Sequence, residues 1–144
     1  MNNMRKLGLD YGDSRIGVAI TDSLGITAQG LETIHHNGND KVALKRLEEI
    51  FNEYDIDTIV IGMPINMDGR KTNRVEVTNK FIHKLKCKFS KIPIEQVDER
   101  LTTVAAHKTM NYLNINKNEK RNIVDTISAV YILETYMNKL KNEN

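Results

Sequence analysis

The sequence predicts an α/β fold in which three antiparallel strands lead into α/β units with a parallel continuation. Three observations carry this. Leu7, Leu9 and Tyr11 alternate with Gly8, Asp10 and Gly12, and Ile16, Val18 and Ile20 alternate with Gly17, Ala19 and Thr21. That period of two belongs to half-buried strands. "TIVIGMP", Thr58 to Pro64, is a short unbroken apolar run rich in β-branched residues, as expected of a central parallel strand covered on both faces. Between and after these runs, apolar residues recur at steps of three and four, the helical period.

In chain order, Gly12-Asp13-Ser14 supplies turn chemistry and makes the first two strands a hairpin. A third strand is expected from Ile26 to Ile34, with Gly25 at its start and Gly30 interrupting it. Asp40 reads as a helix cap. Ala43, Leu44, Leu47, Ile50, Phe51 and Tyr54 form the apolar line of the helix that follows. After the apolar strand comes a polar loop, "INMDGRKTN". Val75, Thr78, Ile82, Leu85 and Phe89 mark a second helix, with Lys80, Lys84 and Lys88 as a stripe off that line. "IPIEQVDE", Ile92 to Glu99, is a strand with Pro93 near its start, where a missing donor is tolerated. Leu101 to Leu113 reads as a helix, Asn114 to Asn118 as a connection, and Glu119 to Lys141 as a long helix. Its main apolar side is expected to be Ile123, Ile127, Val130, Met137 and Leu140.

With 144 residues, 40% hydrophobic and 28% charged, the chain suits one folded domain, expected over 1–141. The charged end from Lys139 is expected to fray, with 142–144 as its tail. One cysteine, Cys87, excludes an internal disulfide framework and a Cys-rich zinc site. No signal-peptide pattern or membrane-length apolar run is visible, so the cytoplasm is the simplest compartment. None of the four histidines has a partner at metal spacing, and all four read as surface or structural. Net charge is only +2, but Arg70 to Lys91 holds eight basic residues and one acid. This favours a polyanionic partner, although a solvated helix face in a lysine-rich chain explains it as well.

Three carboxylates stand out by position. Asp10 ends the first strand, Glu99 ends the last, and Asp125 lies early in the long helix. On a helical wheel Asp125 shares a largely apolar stripe with Ala129, Ile132 and Tyr136. An unpaired buried carboxylate is costly. Hard divalent cations take a few carboxylate oxygens, with water and phosphate completing the shell. Two such ions can flank a phosphodiester, one activating water and the other stabilising the leaving oxygen. Each acid also has an ordinary alternative: Asp10 bonding the turn amides, Glu99 pairing with Arg100 or capping a helix, Asp125 pairing with Arg121. The glycines around Asp10 read as keeping bulk away from a phosphate.

"GLDYGDSRIGVAITD", "IVIGMPINMDG", "VDERLTTVAA" and "KRNIVDTISAVYIL" resemble the four signature blocks of the YqgF or RuvX family of Holliday junction resolvases and pre-16S rRNA nucleases. The resemblance spans nearly the full chain, in the right order. It implies a ribonuclease H-like fold: a five-stranded mixed sheet, three antiparallel strands then two parallel ones, with helices on both faces. It also implies Asp10, Glu99 and Asp125 as catalytic and metal-holding acids with one or two Mg²⁺ or Mn²⁺ ions. The implied activity is cleavage of nucleic acid, precursor ribosomal RNA ahead of branched DNA, by a monomer or homodimer without membrane attachment. Arg15, Arg70, Lys71, Arg74 and Arg100 are candidates to hold phosphates. Two departures are the basic Arg70-Lys71-Thr72-Asn73-Arg74 and Ser128, where alanine is common. The opening block also resembles the first phosphate loop of actin-like ATPases and sugar kinases, but 144 residues leave no room for the second domain those proteins need. A non-catalytic RNA-binding role is the remaining alternative.

Overall fold

The computed structural model describes residues 4–64, 73–98 and 117–142, the side chains of 117–125 excepted. The expected helix from Leu101 to Leu113 lies outside these residues. The strands are β1 (Arg5–Tyr11), β2 (Arg15–Thr21), β3 (Ala28–His35), β4 (Ile56–Met63) and β5 (Ile94–Asp98). The helices are α1 (Asp40–Glu53), α2 (Asn73–Lys88) and α3 (Lys117–Asn142). The strands form one sheet in the order β3-β2-β1-β4-β5. β1 pairs antiparallel with β2, and β2 with β3. β1 pairs parallel with β4, and β4 with β5. This is the expected mixed sheet, with the first strand at its centre.

Alternation along the strands builds two cores. Leu7, Leu9, Ile16, Val18, Ile20, Ile59 and Ile61 face α1 and α2, where they meet Leu47, Ile50, Phe81 and Leu85. Each such fully buried side chain contributes about 1.5–3 kcal/mol. Ala19, Val60 and Val97 face α3 and meet Ala129, Ile132 and Leu133. The second layer is thinner because its strand residues are small. A Cβ on Gly8 would stand 2.6 Å from Leu133 Cγ and 2.8 Å from Ala129 O. A Cβ on Gly30 would stand 3.1 Å from Thr126 Cβ. β3 runs on through Gly30, but its pairing with β2 shifts register there, Val18 facing Glu32 and Ala19 facing Gly30, and the missing side chain lets α3 come down onto the sheet.

Several expectations are corrected. β3 begins at Ala28, because Asp22 Oδ1 accepts from the amides of Ile26 and Thr27 at 2.7 and 3.1 Å. Gly25 sits in that turn at φ +71°, and Ile26 is exposed. The N-cap of α1 is Asn39, whose side chain accepts from Lys41 N; Asp40 is the first helical residue and serves elsewhere. β5 starts at Ile94; Pro93 has no N–H to give the ladder, though its carbonyl still accepts from Ile59 N at 2.9 Å. α3 stays helical through Asn142, past the expected point of fraying. Its buried face is Ala129, Ile132, Leu133 and Met137. Of the expected side, Met137 is buried and Val130 packs at the edge of this core, while the face turned to the sheet is centred on the line through Ala129, Ile132 and Leu133. Among the described residues no helix is long and apolar enough to cross a membrane.

Candidate active site

Asp10 is the penultimate residue of β1, half-buried, with Gly17 opposite it on β2. It lies two residues beyond Gly8, so strand alternation puts it on the α3 side of the sheet. α3 runs antiparallel to β1. Its last turns, Met137, Leu140 and Lys141, line a cavity of about 220 Å³ with Met4 and Lys6 at the start of β1. From Gly8, where Ala129 crosses, two strand residues advance about 6.6 Å and four helical residues retreat about 6 Å. Both steps go toward the carboxyl end of β1. The backbone of position 125 is thus one helical turn beyond Ala129, toward the end of the sheet that holds Asp10.

Glu99, Arg70, Lys71 and Arg100 lie outside the described residues. β5 reaches the same sheet end at Asp98, opposite Met63. Val97 packs toward α3, so Asp98 falls on the other face from Asp10. Arg15 is half-buried as the first residue of β2, directly past the turn that follows Asp10. Arg74 is exposed in the first turn of α2. The lysine stripe of α2 is partly neutralised by α1: Lys84 Nζ lies 2.9 Å from Asp40 Oδ2, and Lys88 Nζ 3.0 Å from Glu48 Oε2. Those two lysines serve helix-helix contact, which leaves less free charge on this face for a polyanion. Among the described residues no three His, Cys, Asp or Glu side chains cluster at metal distance; of the three acids, only Asp10 has its side chain among them.

The glycines near Asp10 have specific jobs. Gly8 admits α3. Gly12 closes the hairpin: its N–H donates to Arg15 O at 2.8 Å, and a Cβ there would stand 2.9 Å from that oxygen. Neither is explained by clearance for a phosphate.

The sequence reading missed the support around this turn. The Tyr11 hydroxyl donates to Asp40 Oδ1 at 2.8 Å. Burial, and then the Asp40 carboxylate, push the Tyr11 phenol well above the ordinary tyrosine value, so it stays a donor. Its ring stacks on Phe81 with centroids 4.3 Å apart and on His36 at 5.5 Å. His36, only 2% exposed, bonds Gly12 O through Nε2 at 2.9 Å and accepts from Gly38 N at Nδ1. A carbonyl can only accept, so Nε2 carries the proton. Asn37 and Gly38 both have positive φ, 52° and 83°, and Asn39 N donates to His36 O at 2.9 Å. This is the primed turn that an Asn-Gly pair favours, and that dipeptide was the available signal.

A five-stranded mixed sheet with this strand order and helices on both faces defines the ribonuclease H-like fold class. The fold agrees with a solved structure of Thermus thermophilus RuvC in complex with Holliday junction substrate, at TM-score 0.56 and 11% identity, covering 95% of this chain and 96% of that one. The RuvX family, described as Holliday junction resolvase, matches residues 4–139, and the chain belongs to it. A relative from Ruminiclostridium cellulolyticum is 55% identical over 95% of this chain and 96% of its own length. One from Acetivibrio thermocellus is 51% identical over 93% and 95%. Both are provisionally named pre-16S rRNA nucleases.

Proposed function

We propose that this chain is a metal-dependent endonuclease that hydrolyses phosphodiester bonds in the maturation of the 5′ end of precursor 16S rRNA. The observation that carries the reading is the seating of α3 on β1 at Gly8, which directs position 125 toward the sheet end that holds Asp10. The names of the 55% and 51% identical relatives support the RNA substrate, and that substrate puts the protein in the cytoplasm.

Asp10, Glu99 and Asp125 are the catalytic acids in this reading. Carboxylate oxygens are the donors Mg²⁺ and Mn²⁺ prefer, and Asp10 fits as a half-buried acid on a rigid strand end. When bound, one or two such ions supply an activated water and stabilise the leaving oxygen. The chain's own part is geometric. β1 and α3 hold two acids on elements that cannot move independently, because Gly8 seats the helix on the strand. Arg15 and Arg74, with Arg70, Lys71 and Arg100, bind the phosphate backbone and orient the scissile bond. Such contacts position without reading sequence.

The family description favours a second substrate, the four-way DNA junction. Symmetric cleavage of a junction takes a pair of sites, hence a dimer. One assay separates the readings. Labelled precursor RNA, single-stranded RNA and a DNA junction are incubated with Mg²⁺ or Mn²⁺ and with wild type or Asp10→Asn. Cleavage of the precursor by wild type alone is the expected result. Junction cleavage alone replaces the substrate. Full activity of Asp10→Asn refutes the acid mechanism, and tight RNA binding without cleavage leaves a non-catalytic module.

A further inference from the structure

We propose that His36 is a positioning residue for Asp10: with Tyr11 and Asp40 it clamps the turn that follows the carboxylate and thereby fixes the carboxylate itself. The inference rests on the nuclease reading of Asp10.

Asp10 lies where β1 is about to leave the sheet. Beyond it Tyr11 still pairs with Ile16, and Gly12 to Ser14 form the tip, with Asp13 and Ser14 exposed. Strand ends of this kind fray unless tied down. Here the tip is tied from a remote element. The corner between β3 and α1 reaches it through three bonds: His36 Nε2 to Gly12 O at 2.9 Å, His36 N to Ser14 O at 2.9 Å and Asn37 N to Ser14 O at 3.1 Å. The corner can do this because Asn37 and Gly38 turn back with positive φ and Gly38 N holds His36 Nδ1 at 3.1 Å. Tyr11 is gripped at the same time, its ring between His36 and Phe81 and its hydroxyl on Asp40. Lys84 holds the other Asp40 oxygen, so α1 and α2 both anchor the residue next to Asp10. None of these groups sits on the α3 face with Asp10. They act on its backbone from behind. A catalytic group displaced by about 1 Å can lose 10²-fold in rate, which gives the clamp a functional as well as a folding role.

The test uses the full chain and compares wild type, His36→Phe, His36→Gln, Leu47→Ala and Asp10→Asn well below every melting temperature. His36→Phe keeps the ring and loses both bonds. Gln can still donate to Gly12 O. Leu47→Ala weakens the core away from the clamp. The expected result is a cleavage rate at saturating RNA at least about ten-fold lower for His36→Phe, at unchanged RNA KM. Weaker Mn²⁺ binding by titration calorimetry accompanies it, with substantial recovery in His36→Gln. Leu47→Ala keeps the wild-type rate despite its lower melting temperature. If His36→Phe does not fold, Tyr11→Phe, which loses one hydroxyl, takes its place and shows a smaller loss of the same kind. Normal rate and Mn²⁺ affinity in His36→Phe beside an inactive Asp10→Asn overturns the positioning role alone. So does a rate that follows stability equally in His36→Phe and Leu47→Ala. Wild type without metal-dependent cleavage, or Asp10→Asn that still cleaves, overturns the nuclease reading and the positioning role with it.

Discussion

Replacing Gly8 by alanine adds one methyl group where α3 comes nearest to β1. The new Cβ would stand 2.8 Å from the backbone oxygen of Ala129, while ordinary contact begins at 3.4 Å. A side-chain tip could swing aside, but Leu133 Cγ at 2.6 Å is a branch point and Ala129 O belongs to the helix itself. The helix must rise by about 0.6 Å at this crossing. Overpacking of this kind costs about 1–3 kcal/mol. The stiffer unfolded chain returns about 0.4–1 kcal/mol, so steric strain wins and the net loss is about 1–2 kcal/mol. Urea unfolding reads this as a lower midpoint at unchanged slope, and thermal unfolding as a fall of roughly 3–8 °C. Position 125 rides on the lifted helix one turn away. Cleavage therefore drops by about ten- to hundred-fold in folded protein, by the same sensitivity to misplacement. A Gly8→Ala protein with an unchanged or higher midpoint refutes the account of the crossing. One that is destabilised but cleaves normally refutes the link between helix height and the site.

Two further outcomes follow from described groups. Ser128 Oγ is buried and lacks a hydrogen-bond partner among the described residues, so Ser128→Ala removes an unsatisfied hydroxyl and improves helix propensity. It should stabilise by about 1–2 kcal/mol; a lower melting temperature by calorimetry would contradict this. The amides of Thr27 and Ile26 hold the Asp22 carboxyl below its ordinary 3.8. With the folded value depressed, its support for the fold is full above 3.8 and fades as pH falls through the folded value. The gap in urea midpoint between wild type and Asp22→Asn should be open at neutral pH and close in acid. A gap of constant size down to pH about 2 counts against that linkage.

Most strands were legible because alternation reports burial directly: Leu7, Leu9 and Tyr11 face the α1 and α2 core as their spacing requires. The face of α3 was not. Two apolar lines run along it, and the buried face lies between them, taking Met137 from one and Ala129 and Ile132 from the other. The sheet under α3 is floored by Gly8, against Ala129 and Leu133, and by Gly30, against Thr126, so small and polar positions lie among those nearest the sheet. Hydrophobicity ranks such a face too low. β3 was placed early because Ile26 looks like a strand residue, while the Asp22 carboxylate that diverts it into a turn acts across four residues. Asn39 and Asp40 are both capping types, and only geometry separates them. His36 was read as surface or structural, and its burial decides for the second, but its partner Gly12 is far off in sequence and invisible to any local pattern. For the candidate site, Asp10, Glu99 and Asp125 stood out as acids at element ends; the path of α3 brings position 125 toward the sheet end that holds Asp10, and the roles of all three stay expectations.

The path of α3 across β1 has a consequence for the timing of synthesis. Asp10 leaves the ribosome with the first strand and Asp125 with the last helix. At about 5–20 residues per second the interval is on the order of ten seconds. During it the hairpins and α1 can already collapse, yet the face made by Gly8, Ala19 and Val60 stays uncovered. That face offers little for a misplaced hydrophobic segment to grip. Under the proposed function the two acids come together only once translation has ended, so the site forms after the chain has left the ribosome.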